Sequence, residues 1–205
     1  MKPRTIVFDA YGTLFDVNSA AEKCRNKIGS KWENFANFWR TTQLEYTWLR
    51  SLMKKHKDFW QITEDSLDKS MKVFNIDNSL KNELLNLYKI LSPYPEVKSV
   101  LTNLKEKKFK LAILSNGTPT LLEELVKSNN LNNLFDDLFS VEEVKIYKPN
   151  SKVYELPIKK YKIKPEEIIF LSANTWDVSG GGNYGYNSVW VNRSKSHFDN
   201  LDYHP

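Results

Sequence analysis

Cysteine is almost missing from this chain. Cys24 stands alone among 205 residues. That excludes an internal disulfide framework and any zinc site built from several thiolates. Histidine is scarce and scattered, at His56, His197 and His204, and one thiol fits a reducing interior. No apolar run approaches the ~18 residues of a membrane-spanning helix. Only Thr5-Ile6-Val7-Phe8 lie between the basic start, Met1-Lys2-Pro3-Arg4, and Asp9. A secretory signal needs about 7–15 apolar residues there. These absences predict a cytoplasmic protein with no membrane partner. A basic stripe is missing as well. The net charge is +5, but the lysines are spread out or mixed with acids, as in Lys105-Glu106-Lys107-Lys108. That argues against a nucleic-acid partner, while the charge still helps draw in a small anion. With 40% apolar and 27% charged residues, the composition is that of a globular protein, not of a disordered or collagen-like one. The length allows one domain, or one domain with a modest insertion.

Two textures divide the chain. Residues 4–8 form a short apolar run that ends in Asp9-Ala10-Tyr11-Gly12-Thr13, which reads as a buried strand followed by a loop. From about 18 to 91 there is one glycine, Gly29, and no proline. Apolar residues recur at helical spacing in three stretches there. The first runs from Trp32 through Trp39 and Trp48 to Leu52, the second from Phe59 to Phe74, and the third from Leu80 to Leu91. The simplest reading of these stripes is packing between helices. After Ser92-Pro93-Tyr94-Pro95, helices and strands alternate. Strands are expected at 109–114, 138–141, 168–171 and 188–191, with helices at 97–104, 118–128 and 151–161. Thr118 caps the second of those helices and Pro119 fills its first turn. The pattern predicts a Rossmann-like α/β core with a parallel sheet, built from 1–15 and 92–205, and a helical cap inserted at 16–91. Ligands of such sheets bind beyond the carboxyl ends of the strands.

Those ends carry the chemistry. Asp9 follows the first strand, and taken alone it reads as a helix cap. Ser115-Asn116-Gly117 follows the next strand and offers a hydroxyl and backbone amides to an anion. Lys148 precedes Pro149 in a loop, where a solvated lysine would be ordinary. Ser172, Asn174 and Asp177 follow the fourth strand. Four polar clusters at strand ends are hard to explain as surface accidents.

Asp9-Ala10-Tyr11-Gly12-Thr13-Leu14, Leu114-Ser115-Asn116-Gly117, Lys148-Pro149 and Ser172-Ala173-Asn174-Thr175-Trp176-Asp177 resemble, in order, the four motifs of the haloacid dehalogenase superfamily. The stretch Trp39–Arg50 is similar to the cap signature of its L-2-haloacid dehalogenases. So is Lys145-Ile146-Tyr147-Lys148-Pro149 followed by Val153-Tyr154. Most of the superfamily are phosphotransferases with a second aspartate two residues after the nucleophile. Here that position is Tyr11. A phenol with a pKa of about 10 is a poor substitute acid, and the missing carboxylate weakens a magnesium site. Halide leaves without protonation, so a displacement that uses neither metal nor cofactor would tolerate Tyr11.

The resemblance implies that Asp9 attacks C2 of a short L-2-haloalkanoate and expels halide. Water then opens the aspartyl ester at the Asp9 carboxyl carbon, giving a D-2-hydroxy acid. Substrate and nucleophile are both anions, and about 4 Å apart they repel by ~4 kcal/mol at an effective dielectric near 20. Lys148 and Arg40 are the candidate cations. Lys148 would hold Asp9 ionised, and Arg40, which could instead lie along Trp39 on the helix surface, would take the halide. Thr13 would hydrogen-bond Asp9. Ser172, Asn174 and Asp177 would orient Lys148 and the water, and Tyr154 would help fix the site. Ser115 and amides near Tyr11 and Leu14 or Asn116 would take the substrate carboxylate. Tyr11, Leu44 and Trp176 would line the pocket, with the Trp176 ring edge and Asn116 also facing halide. The run Gly180-Gly181-Gly182 departs from the family, and a helix there is expected to start late or be irregular, at about 1 kcal/mol per glycine. Relatives usually continue past His204-Pro205. Two other functions stay open, a magnesium-dependent phosphohydrolase and a non-catalytic binding module. The aromatic helix around 36–52 also suggests a homodimer.

Overall fold

The computed structural model describes residues 4–205. Thr5–Phe8 form β1, buried along its whole length. A strand covered on both faces needs no polar alternation, and that is why the run is continuous. Five helices follow: α1 (Ser19–Lys23), α2 (Arg25–Ile28), α3 (Trp32–Leu52), α4 (Phe59–Phe74) and α5 (Lys81–Lys89). The rest alternates as α6 (Val97–Glu106), β2 (Lys110–Ser115), α7 (Pro119–Ser128), β3 (Asp137–Ser140), α8 (Ser151–Tyr161), β4 (Ile168–Ser172), α9 (Thr175–Tyr184) and β5 (Asn187–Trp190). The strands make one parallel sheet in the order β3-β2-β1-β4-β5. This is the Rossmann-like α/β architecture that the sequence predicts.

Local chemistry sets the helix ends. The Asp58 carboxylate accepts the Gln61 N–H at 2.8 Å and opens α4, while Asn75 closes it in the left-handed region, at φ 50°. Thr118 accepts the Leu121 N–H at the start of α7, with Pro119 next to it, as predicted. Among the described residues no helix is long and apolar enough to cross a membrane.

Strand order brings the site together. In β1, Phe8 lies opposite Ile113 of β2 on one side and Leu171 of β4 on the other. The carboxyl ends of three adjacent strands therefore present Asp9, Ser115 and Ser172 side by side. The chain moves outward from β1 to β3, then returns to β4 on the far side. That reversal marks the crevice where open α/β sheets bind ligands.

Two expectations need correction. Helix α9 neither starts late nor breaks at the glycines: it runs from Thr175 to Tyr184. A Cβ on Gly180 would strike the Tyr154 hydroxyl and Pro149, and one on Gly181 would strike the Phe170 ring. The glycines let α9 lie close against these side chains, and the packing offsets their low helix propensity. The stripe on α3 is also not purely apolar. Its buried face carries Thr42, Gln43 and Thr47 beside Phe35 and Trp39. Leu49 and Leu52 are exposed instead, Leu52 at 80%.

Candidate active site

Asp9 follows β1 and is only 5% exposed. Its two oxygens differ. Oδ2 accepts from Thr13 Oγ1 at 2.8 Å, from Asn174 Nδ2 at 2.8 Å and from the Ser172 hydroxyl at 3.4 Å. Oδ1 accepts from Lys148 Nζ at 3.1 Å. The Ala173 N–H donates to Thr13 Oγ1 at 2.8 Å, which leaves the threonine proton for Asp9.

Lys148 is 1% exposed, 139 residues from Asp9 in sequence. Its ammonium also contacts Asp177 Oδ2 at 2.9 Å and sits 5.1 Å from the Phe170 ring centre. Burial pulls this ammonium's pKa down, but Asp177 and Asp9 outweigh it, so the group titrates above its ordinary value. Asp177 is fully buried in the first turn of α9. Burial pushes its carboxyl up, Lys148 opposes this, the Asp9 charge adds to it, and the result is about 6. Tyr154 donates to Asp177 Oδ1 at 2.7 Å. Burial, then the Asp177 charge, holds that phenol well above its ordinary range, so it stays a donor.

The helices between β1 and α6 reach the same place. Arg40 of α3 donates through Nη2 to the Tyr11 carbonyl at 3.2 Å, two residues from the nucleophile candidate. Tyr11 is buried between Tyr88, stacked at 5.7 Å, and Phe59 at 5.2 Å. Burial, then Tyr88, raises its pKa well above 10. Leu44 is half-buried one turn after Arg40. Trp176, also half-buried, meets Trp48 of α3 edge to face at 5.5 Å. Ser115 is fully buried, and its oxygen accepts the Gly117 N–H at 3.0 Å, which leaves its proton to donate. Asn116 uses Oδ1 to accept the Lys148 N–H at 3.2 Å, which ties the second strand end to the lysine loop.

Thirteen of the predicted residues fall along these strand ends and the facing helices. Leu14 does not. Its N–H is already given to the Ala10 carbonyl at 2.9 Å, and its side chain faces Val97, Leu101 and Val191 on the other side of the loop. The loop turns Leu14 away because the Asp9–Thr13 segment folds back on Ala10. Sequence reading missed two supports. Arg193 donates to the Thr13 carbonyl through Nε at 2.9 Å and Nη2 at 2.6 Å, and so clamps the Asp9 loop. Nothing local marks Arg193, since it lies 180 residues away. Gln43 had a signal, a polar residue on the buried stripe of α3.

Comparison with known proteins gives the family. The model of the haloacid dehalogenase-like hydrolases matches residues 3–185. A curated (S)-2-haloacid dehalogenase from Pseudomonas sp. (strain CBS-3) is 43% identical over 192 residues, covering 93% of this chain and 85% of that protein. One from Burkholderia cepacia is 38% identical, covering 93% and 83%. The solved L-2-haloacid dehalogenase from Xanthobacter autotrophicus, with chloropropionic acid covalently bound, superposes with a TM-score of 0.86 at 36% identity, covering 93% and 78%. The chain thus belongs to the haloacid dehalogenase-like hydrolases, and within them to the family of the (S)-2-haloacid dehalogenases.

Proposed function

We propose that the protein hydrolyses short L-2-haloalkanoates to D-2-hydroxy acids through an ester on Asp9, without a metal. The observation that carries this reading is Tyr11. The position two residues after Asp9 holds a buried, high-pKa phenol stacked on Tyr88, and so offers no second carboxylate for acid catalysis or magnesium. The covalent adduct in the Xanthobacter autotrophicus relative supports the ester.

Asp9 Oδ1 is the attacking oxygen, because it accepts one hydrogen bond while Oδ2 accepts three. Displacement inverts C2 once, so the L-substrate gives the D-product. Oδ2 then becomes the carbonyl oxygen of the ester. When water attacks the Asp9 carboxyl carbon, negative charge develops on Oδ2. Thr13, Asn174 and Ser172 already donate there, as a preorganised oxyanion hole. Lys148, held by Asp177, which Tyr154 in turn holds, keeps Asp9 ionised between turnovers. Arg40 takes the departing halide with Asn116 and the Trp176 edge. Ser115 donates to the substrate carboxylate, and Tyr11, Leu44 and Trp176 exclude water from the displacement.

In the same reading, residues 16–91 act as a cap over a core of 1–15 and 92–205. The protein is a cytoplasmic homodimer whose contact includes the exposed Leu49 and Leu52 on α3. A monomer mass by light scattering at micromolar concentration would refute the dimer.

The deciding experiment is halide release from each enantiomer of 2-chloropropionate in EDTA, with Asp9→Asn as control. Release from the L-form alone, absent in the control, supports the reading. Release only with added magnesium, or equal release from both enantiomers, overturns it.

A further inference from the structure

Arg40 belongs to a polar network buried between three helices. Gln43 lies one turn after it on α3 and is 1% exposed. Gln43 Oε1 accepts from Arg40 Nη1 at 2.9 Å. Gln43 Nε2 donates to Thr63 Oγ1 of α4 at 2.7 Å and to the Tyr88 hydroxyl of α5 at 3.0 Å.

The direction of this chain follows from proton counting. Thr63 donates its only hydroxyl proton to the Phe59 carbonyl at 2.7 Å. Toward Gln43 it can therefore only accept, so the amide must present its NH2 to Thr63. A guanidinium can only donate, so the same amide must present its oxygen to Arg40. The Arg40 end imposes the orientation, and the bond from Thr63 to the Phe59 carbonyl agrees with it. A flipped amide would set NH2 against guanidinium and leave two buried polar groups unpaired. Tyr88 closes the network and stacks on Tyr11, whose carbonyl takes the other arm of Arg40.

We infer that Gln43, oriented by Thr63 and held by Tyr88, is a positioning residue that fixes the Arg40 guanidinium for the departing halide. It thereby sets how well the enzyme expels its poorer leaving groups. The inference rests on the reading of Arg40 given above. An arginine released from this bond spreads over many rotamers, and a charge that is not preorganised helps the transition state less. Chloride is smaller and leaves less readily than bromide, so it depends more on that help.

The experiment measures kcat/KM for L-2-bromopropionate and L-2-chloropropionate, together with inhibition by added chloride. It compares the wild-type chain with Arg40→Met, Gln43→Met and Thr63→Val. Gln43→Met is expected to raise the bromide-to-chloride ratio of kcat/KM by about 3- to 10-fold and to weaken chloride inhibition, as the loss of one charge-assisted hydrogen bond on a still-present cation. Thr63→Val should shift both in the same direction by less, because the amide is freed rather than removed. If Gln43→Met does not fold, Thr63→Val and Tyr88→Phe carry the test.

A purely packing role would lower the melting temperature and leave the ratio and the chloride inhibition at wild-type values. That result overturns the inference. An unchanged ratio in Arg40→Met overturns the role of Arg40 and this inference with it. A wild-type chain that releases no halide from either substrate overturns the proposed activity itself.

Discussion

Replacing Lys148 by methionine tests the centre of the proposed mechanism. The ammonium lies 3.1 Å from Asp9 Oδ1 and 2.9 Å from Asp177 Oδ2, with all three groups almost sealed from water. At an effective dielectric near 20, each contact is worth roughly 5 kcal/mol. Methionine keeps the volume and removes the charge. The two buried carboxylates then face each other without a cation, and the cheapest response is to take up a proton at neutral pH. A loss of about 5 kcal/mol at the nucleophile corresponds to a rate lower by about 1,000- to 10,000-fold at pH 7. Raising the pH from 7 to 9 should recover part of it, close to tenfold per unit, as the shared proton leaves. Breaking the buried pair should cost about 3–5 kcal/mol of stability, near 10 °C in melting temperature for a chain of this size. That cost should shrink toward pH 5, because protonated carboxyls no longer need the ammonium. Chloride release by stopped assay across pH 6–9, with melting curves at the same points, measures all of this. Activity within tenfold of wild type at pH 7, or a flat profile between pH 7 and 9, would show that Lys148 does not keep Asp9 ionised.

Asp177, pushed up to about 6, should give kcat/KM an acid limb near that pH, because the protonated carboxyl loosens its hold on Lys148. Tyr154→Phe removes a donor to the ionised form and should move this limb upward in pH; a limb that stays put would refute the link. The same shift bears on stability. The folded value lies above the ordinary ~3.9 of an unfolded aspartate. Asp177 therefore lowers stability as pH rises from about 4 to 6, by about 3 kcal/mol, and urea titrations of Asp177→Asn should lack that decline. Gly180→Ala forces a Cβ into the Tyr154 hydroxyl and Pro149. It should cost about 1–3 kcal/mol and lower activity by moving Tyr154 off Asp177. An unchanged melting temperature would show that α9 shifts freely.

The sequence alone determined the α/β architecture, and it marked where along the chain the candidate site residues stand. Short apolar runs bounded by turn residues read as buried strands, and polar residues follow them directly, so the placement of Asp9, Ser115 and Ser172 at strand ends was legible by position. Regular apolar spacing without proline made α3, α4 and α5 legible as helices. What needed the folded chain depends mostly on distance across sequence. Strand order puts β1 between β2 and β4, and a string of residues carries no signal for which strands become neighbours. The clamp of Arg193 on Thr13 and the network around Gln43 join residues that local patterns treat separately, while the pairing of Lys148 with Asp9 and Asp177 was implied by the family resemblance alone. Propensity also failed in α9, where it counts the entropy of each glycine but not the close contact with Tyr154 and Phe170 that those glycines allow. Periodicity in turn read the stripe on α3 as packing between helices, since it detects which side of a helix is covered but not that part of the cover is a hydrogen-bonded glutamine aimed at an arginine.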